Sequence, residues 1–174
     1  MLISIQKRTN KTTKRYGSEN AGELMALREY TERFDGVKLT SMYMSEEEKE
    51  AACAKVSPEL KAAMERAAAN IFAFHEKQKQ QSWIDNQGDR IMGQRVLPLR
   101  RVGLYVPGGS AAYPSSVLMN AIPAMVAGVE SIVIATPPKA EGINPAVAYA
   151  AKLAGVSDIL TVGGAQVVAA HAEN

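Results

Sequence analysis

Two glycine-rich segments have the residue types and spacing best suited to ligand chemistry. One reads Tyr105-Val106-Pro107-Gly108-Gly109-Ser110, and the other reads Gly163-Gly164-Ala165-Gln166. Paired glycines let the backbone approach a ligand closely and leave N–H groups free near a helix start, which suits phosphate. The spacing is not Gly-x-Gly-x-x-Gly, so the ordinary dinucleotide fingerprint is absent. On spacing alone, tight strand-to-helix turns are the alternative interpretation of both segments.

The sequence offers little for metal or nucleophilic chemistry. It contains one cysteine, Cys53, and two histidines, His75 and His171, which lie far apart along the chain. A structural zinc site needs about four such ligands, so we expect no stoichiometric zinc here and assign no metal-binding residue. The single cysteine also excludes a disulfide framework within the chain. His75 follows Phe74 in a helical stretch, which favours a structural or surface role.

An alternation of apolar runs and helical patterns must position both glycine segments. The predicted elements, in chain order, are a strand at 101–106, a helix at 115–127, a strand at 131–135, a helix at 144–153, a strand at 158–162 and a helix from 165. This β-α-β-α-β-α order predicts a three-stranded parallel sheet with right-handed crossovers, flanked by helices. Parallel sheets bind ligands at the carboxyl ends of their strands, so the two glycine segments should converge on one crevice.

The chain before this alternation predicts helices. The first runs from Ala21 to Arg33 and ends at Phe34-Asp35-Gly36, because Asp and Gly are turn formers. Ser45, with Glu48 three residues later, is a capping box that opens the second helix. Ser57-Pro58 opens the third, since Pro is favoured at the first helical position.

The third helix carries a long apolar stripe that reaches to about Gln81. Four of its residues should pack against the rest of the chain rather than stand free in water, namely Leu60, Met64, Ile71 and Phe74. The chain then divides into a basic arm (1–20), a helical segment (21–86), a connector or hairpin (87–100) and a partial sheet domain (101–174). The arm is expected to be frayed or weakly ordered.

Composition excludes several classes of protein. The chain has 174 residues, 20 Lys and Arg against 18 Asp and Glu, and 47% hydrophobic residues, which is globular in character. Five of the basic residues lie within the first fifteen positions with no acid, so the body is mildly acidic and shows no sign of a nucleic-acid groove. A short transit-like peptide is the alternative interpretation of that arm.

No apolar run approaches the roughly 20 residues of a membrane span, and we expect a cytoplasmic protein.

Residues 101–124 and 162–166 strongly resemble histidinol dehydrogenase. Residues 30–36 and 69–75 are similar to the N-terminal helices of that family, so the resemblance covers roughly 24–174. It implies a Rossmann-like α/β fold, NAD and zinc as cofactors, and oxidation of L-histidinol through the aldehyde to L-histidine in histidine biosynthesis. It also implies an intertwined homodimer. Tyr105 and Gln166 match family residues that contact NAD.

The resemblance also shows what this chain lacks. Members of the family are more than twice as long, and their Glu-His acid–base pair and zinc ligands have no counterpart here. His75 and His171 match neither set, so no catalytic residue is assigned. Tyr16 to Leu24 also departs from the segment that the family carries before its Phe-Asp-Gly turn.

Three interpretations therefore stand. The first is an N-terminal portion of the enzyme, without turnover of its own, that binds NAD weakly, on the order of 1 mM, or about −4 kcal/mol. The second is a non-catalytic nucleotide-binding or assembly module. The third is one half of a split enzyme completed by a second polypeptide.

Overall fold

The computed structural model describes residues 2–5, 21–39, 41–108 and 113–164. The elements, in chain order, are β1 (Leu2–Ile5), α1 (Ala21–Asp35), α2 (Glu46–Ala54), α3 (Pro58–Glu76), β2 (Trp83–Asn86), β3 (Ile91–Gln94), β4 (Arg101–Tyr105), α4 (Pro114–Val126), β5 (Ser131–Ala135), α5 (Pro145–Leu153) and β6 (Asp158–Leu160). No helix within these ranges is both long enough and apolar enough to cross a bilayer.

The expected parallel sheet is present. β4 pairs in parallel with β5, and β5 with β6, so that Gly103 lies beside Val133 and Val133 beside Asp158. The intervening helices α4 and α5 pack against each other. Because the three strands follow one another in the same direction, right-handed crossovers place both helices on one face of the sheet. The predicted α/β class, with helices followed by part of a parallel sheet, is confirmed.

A fourth strand extends this sheet and was not predicted. β1 pairs antiparallel with β4, with Leu2 opposite Leu104 and Ile5 opposite Arg101. The expectation of a frayed basic arm is therefore wrong for Leu2–Ile5. The local pattern of only four residues is too short to predict a strand, and its partner lies about a hundred positions away. The remainder of the arm, 6–20, is outside the described residues.

Two apolar layers cover the two faces of the sheet. Successive strand residues point to opposite faces, and in β5 Ile132 and Ile134 join the larger core beneath the helices. Val133 and Ala135 join a smaller core on the other face with Met42. From Ile132 to Ala135 the strand β5 is apolar and contributes to both layers, as expected for a strand buried on both sides.

The predicted starts of α2, α3 and α5 are confirmed, and the helix expected from 165 lies outside the described residues. Ser45 Oγ accepts a hydrogen bond from the Glu48 N–H at 3.2 Å, and Glu48 Oε2 accepts one from the Ser45 N–H at 2.7 Å. Ser57 caps α3 in the same manner, and Asn144 caps α5. These caps satisfy backbone donors that a helix cannot pair internally.

The apolar stripe of α3 packs only in part. Met64 is 5% exposed, and Ile71 packs partly buried against the larger core. Leu60 remains 42% exposed and Phe74 61%. The expectation that all four residues pack is therefore wrong for Leu60 and Phe74, because the stretch of α3 that the larger core covers, from Met64 to Ile71, is shorter than the stripe.

The expected connector is a hairpin that starts earlier than predicted. β2 and β3 pair antiparallel from Trp83 opposite Gln94 to Asn86 opposite Ile91. All eight of their residues are exposed, so neither face of this hairpin rests on either apolar core.

Candidate functional site

The carboxyl ends of the three parallel strands meet around Pro137. The backbone continues to pair beyond the strands, with the Val106 N–H donating to the Ala135 carbonyl at 2.8 Å and the Thr136 N–H donating to the Leu160 carbonyl at 3.0 Å. These bonds hold the loops after β4, β5 and β6 side by side at one edge. We call this edge, comprising residues 105–108, 136–137 and 162–164, the carboxyl edge.

Glycine is favoured where two of these loops touch the third. A Cβ atom on Gly108 would lie 3.0 Å from the Pro137 ring, and one on Gly163 would lie 2.7 Å from Pro137 Cγ. Contacts of the second length are essentially never seen for real Cβ atoms, so Gly163 has no room for a side chain. Gly164 adopts φ +74, which favours glycine for a different reason. The glycine segments therefore serve, at least in part, as close backbone packing between strand ends.

The two cofactor residues predicted from the resemblance can be located only in part. Tyr105 ends β4 half-buried and packs against the smaller core. Gln166 lies outside the described residues, as does His171. The loop after Tyr105 and the segment leading to Gln166 converge on Pro137, as expected for one crevice. The contacts of Tyr105 and Gln166 with NAD stay a prediction.

An acidic side chain that sequence reasoning treated only as a turn former also reaches this edge. Asp35 is the last residue of α1, and its Oδ2 atom lies 3.2 Å from the position that a Cβ on Gly163 would take. This oxygen is buried and has no hydrogen-bond partner within the described ranges. Burial raises the pKa of the Asp35 carboxyl above its ordinary value, because a low-dielectric surrounding disfavours the charged form.

The path of the chain after α1 explains why Asp35 lies there. The segment Met42–Met44 runs antiparallel to β6, with a bridge between Tyr43 and Leu160 and a hydrogen bond from the Thr161 N–H to the Met42 carbonyl at 2.8 Å. The residues before Met42 therefore run back toward the carboxyl edge, where α1 ends. No local sequence pattern carries this information, since it depends on a pairing across more than a hundred residues.

The other residues considered for chemistry lie elsewhere. His75 is on α3, with its Nδ1 atom 2.8 Å from Gln78 Oε1 and its ring edge-on to Phe74 at 5.3 Å. Cys53 is buried on α2 in the larger core. Within the described residues no three His, Cys, Asp or Glu side chains are grouped so as to hold a metal ion.

The fold and its carboxyl edge define an α/β domain of the kind that places ligands at the ends of parallel strands. The family model described as histidinol dehydrogenase matches residues 19–173. The chain therefore belongs to the histidinol dehydrogenase family.

Individual relatives agree with this assignment. The chain is 56% identical over 149 residues to histidinol dehydrogenase of Geobacillus kaustophilus, an alignment that covers 84% of this chain and 35% of that protein. It is 48% identical over 170 residues to the enzyme of Listeria monocytogenes serotype 4b, covering 97% of this chain and 40% of that protein. The crystal structure of histidinol dehydrogenase from Elizabethkingia anophelis superimposes with a TM-score of 0.81 at 36% identity, covering 95% of this chain and 40% of that one. The chain thus spans 35–40% of the length of these relatives.

Proposed function

We propose that this chain forms part of the NAD-binding domain of a histidinol dehydrogenase. The observation that carries the proposal is the convergence of the loops after β4 and β6 on Pro137, with Tyr105 at the end of β4, in a chain of this family. When bound, NAD would accept the hydride that leaves the alcohol carbon of L-histidinol in a step of histidine biosynthesis.

The residues of the carboxyl edge suit a nucleotide. The half-buried Tyr105 ring offers an aromatic surface on which a base or ribose can pack. Gly108 lies in the loop after β4, where backbone N–H groups could meet a pyrophosphate. Gln166 would add an amide that hydrogen-bonds a ribose or base edge.

Zinc has no assigned ligand among the described residues. The described residues group no suitable donor set, and the matched residues include no counterpart of the family's acid–base pair. We therefore propose that the chain alone does not turn over L-histidinol. Its free cysteine, Cys53, fits the reducing conditions of the cytoplasm, where we place the protein.

The test combines an activity assay with a binding assay on the purified chain. Histidinol-dependent NAD reduction, with the metal content of the sample measured in parallel, should show no turnover. NAD titration followed by protein-observed NMR should give a dissociation constant on the order of 1 mM.

Three variants locate the NAD site. Tyr105→Ala and Gln166→Ala should each weaken NAD binding, whereas His75→Ala should leave it unchanged because His75 lies on α3 and not at the carboxyl edge. Micromolar binding that neither Tyr105→Ala nor Gln166→Ala alters would refute the site, and turnover by the chain alone would refute its inactivity.

A second candidate function, assembly with another polypeptide, is supported by the exposed hairpin. Ile84 is 81% exposed and Ile91 72%, although an isolated two-stranded hairpin is marginally stable in water. We propose a second copy of the chain as the partner, in keeping with the homodimer that the resemblance implies. Sedimentation analysis should show self-association that Ile84→Thr/Ile91→Thr weakens, and a monomer at all concentrations would contradict it.

A further inference from the structure

The strongest unexplained feature of the molecule is the carboxylate of Asp35. Its Oδ2 atom is buried without a hydrogen-bond partner in the described part of the chain, and none of the ion pairs found there includes it. The nearest described cation in sequence, Arg33, has its guanidinium 5.5 Å from the centre of the Phe34 ring. Buried polar groups are normally paired, because an unpaired acceptor forfeits its hydrogen bonds to water. A carboxylate left in this state is able to accept hydrogen bonds from a bound ligand.

The position of Asp35 places that partner at the carboxyl edge. Oδ2 lies 3.2 Å from where a Cβ on Gly163 would be, and the same Cβ position lies 2.7 Å from Pro137 Cγ. Asp35, Pro137 and Gly163 therefore surround one point at the end of β6. Oδ2 itself is enclosed by these groups, whereas the other carboxyl oxygen is not among the buried unpaired atoms and Asp35 is only half-buried. A ligand bound at the ends of the parallel strands would therefore reach the carboxylate through its Oδ1 side.

The chemistry of a carboxylate restricts what this ligand presents to it. An ionised carboxylate only accepts hydrogen bonds, so it needs O–H or N–H donors and repels phosphate. A ribose diol offers two adjacent O–H donors. Dinucleotide-binding folds use an acidic residue for this purpose, although there it follows the glycine fingerprint, whereas Asp35 precedes the sheet and arrives from a helix end.

We propose that the Asp35 carboxylate accepts hydrogen bonds from a ribose diol of the bound dinucleotide. The ribose then lies at the end of β6 beside Gly163, and the pyrophosphate lies toward Gly108, away from the negative charge. This inference rests on the proposed NAD site and adds to it a residue and an orientation. The diol belongs to either the adenosine or the nicotinamide ribose, and the choice of ligands in the experiment distinguishes the two.

The experiment compares Asp35→Asn with the parent chain. Asn keeps the shape of the side chain and removes its charge. The matched control is Asp89→Asn, which removes the same charge from the exposed hairpin turn. NAD, NADP and nicotinamide mononucleotide are titrated into all three proteins and followed by protein-observed NMR, with circular dichroism to verify folding. Asp35→Ser provides a second variant if the amide is not tolerated.

The expected result is an approximately tenfold weaker NAD affinity in Asp35→Asn, equivalent to about 1.4 kcal/mol, and no change in Asp89→Asn. If the diol is that of the adenosine ribose, the parent prefers NAD over NADP, because the 2′-phosphate meets the carboxylate, and Asp35→Asn loses this preference. If the diol belongs to the nicotinamide ribose, Asp35→Asn instead weakens the binding of nicotinamide mononucleotide. If Asp35 had a purely structural role, Asp35→Asn would not change these ligand preferences.

Two results would overturn the inference, and they have different consequences for the proposed function. If Tyr105→Ala weakens NAD binding while a folded Asp35→Asn or Asp35→Ser binds every ligand with the affinity of the parent, the proposed ribose contact is wrong and the NAD site stands. If NAD does not bind the parent chain at all, both the contact and the proposed NAD site are wrong.

Discussion

Replacing Asp35 by Asn should stabilise the folded chain at neutral pH. The carboxylate oxygen Oδ2 is buried and unpaired in the described structure. The Asn amide keeps a polar atom at this place, so the gain comes from removing the charge, because burying an unpaired charged group costs about 1–3 kcal/mol more than burying a neutral one. Asp35 is only half-buried as a residue, so we take the lower end of that range. Its charge also lies at the C-terminus of α1, where the helix dipole disfavours an anion by about 0.3–1 kcal/mol. A gain of about 1 kcal/mol is therefore expected.

The gain should depend on pH with a definite sign. Burial raises the pKa of the folded-state Asp35 carboxyl above the ordinary value of 3.8. Between pH 3.8 and the raised pKa the folded protein binds more protons than the unfolded chain. The parent therefore loses stability as the pH rises through that window. Below pH 3.8 Asp35 is mostly protonated in both states, so its charge penalty disappears. The advantage of Asp35→Asn should consequently be largest at neutral pH and vanish below pH 3.8.

Urea unfolding followed by circular dichroism measures this difference directly. The parent, Asp35→Asn and Asp89→Asn are compared at neutral pH and below pH 3.8. A gain of 1 kcal/mol corresponds to a thermal midpoint about 2–4 °C higher for a chain of this size. Asp89→Asn, on the exposed hairpin turn, should stay within about 0.5 kcal/mol of the parent. If Asp35→Asn were less stable than the parent at neutral pH, the carboxylate would have a stabilising partner and the reasoning would be refuted.

Three further substitutions test how the site is supported. Tyr149→Phe removes the 2.6 Å hydrogen bond from Tyr149 Oη to Glu65 Oε1 that joins α5 to α3, and should lower the free energy of unfolding by about 1–2 kcal/mol. Because this bond raises the pKa of Tyr149 above 10.0, the loss should be full below pH 10.0 and should shrink as the pH rises from there through the raised value. Ser45→Ala removes the cap of α2 and should cost about 1 kcal/mol in urea unfolding. Gly163→Ala forces its new methyl group against Pro137, 2.7 Å away, and should lower the thermal midpoint and weaken NAD binding together.

Each of these has a control or an outcome that would contradict it. Tyr113→Phe, on an exposed tyrosine, should change stability by less than about 0.5 kcal/mol. Ser115→Ala, at an exposed position in the first turn of α4, should not be destabilising, because Ala is the better helix former. A fully stable Gly163→Ala with normal NAD binding would show that the loop after β6 is free to move away from Pro137.

Local sequence patterns predicted the elements of the sheet domain well because each is specified by its own residues. β5 is a run of apolar residues between turn signals, and α5 begins at Asn144-Pro145, where a cap and a proline coincide. Neither depends on a distant partner. β1 does, since Leu2–Ile5 becomes a strand only by pairing with β4, and such long-range pairing leaves little trace in four residues.

The position of Asp35 could not be predicted from the sequence either, because it also depends on a long-range pairing. Asp followed by Gly predicts a turn, and the chain does turn there, with Gly36 at φ +67. What the local pattern omits is the direction in which the chain leaves that turn. The antiparallel pairing of Met42–Met44 with β6 determines it, and so decides that a turn residue becomes a side chain of the carboxyl edge.

The carboxylate also changes what the paired glycines mean. Glycine loops at strand ends, considered alone, favour a phosphate, because backbone N–H groups attract an anion. A fixed negative charge beside Gly163 opposes that attraction at the end of β6, but not equally at Gly108, whose nearest contacts are with the Pro137 ring. The two glycine loops are therefore electrostatically unequal, and a ligand that spans them should present its anionic part to the β4 loop and its hydroxyl groups to the β6 loop.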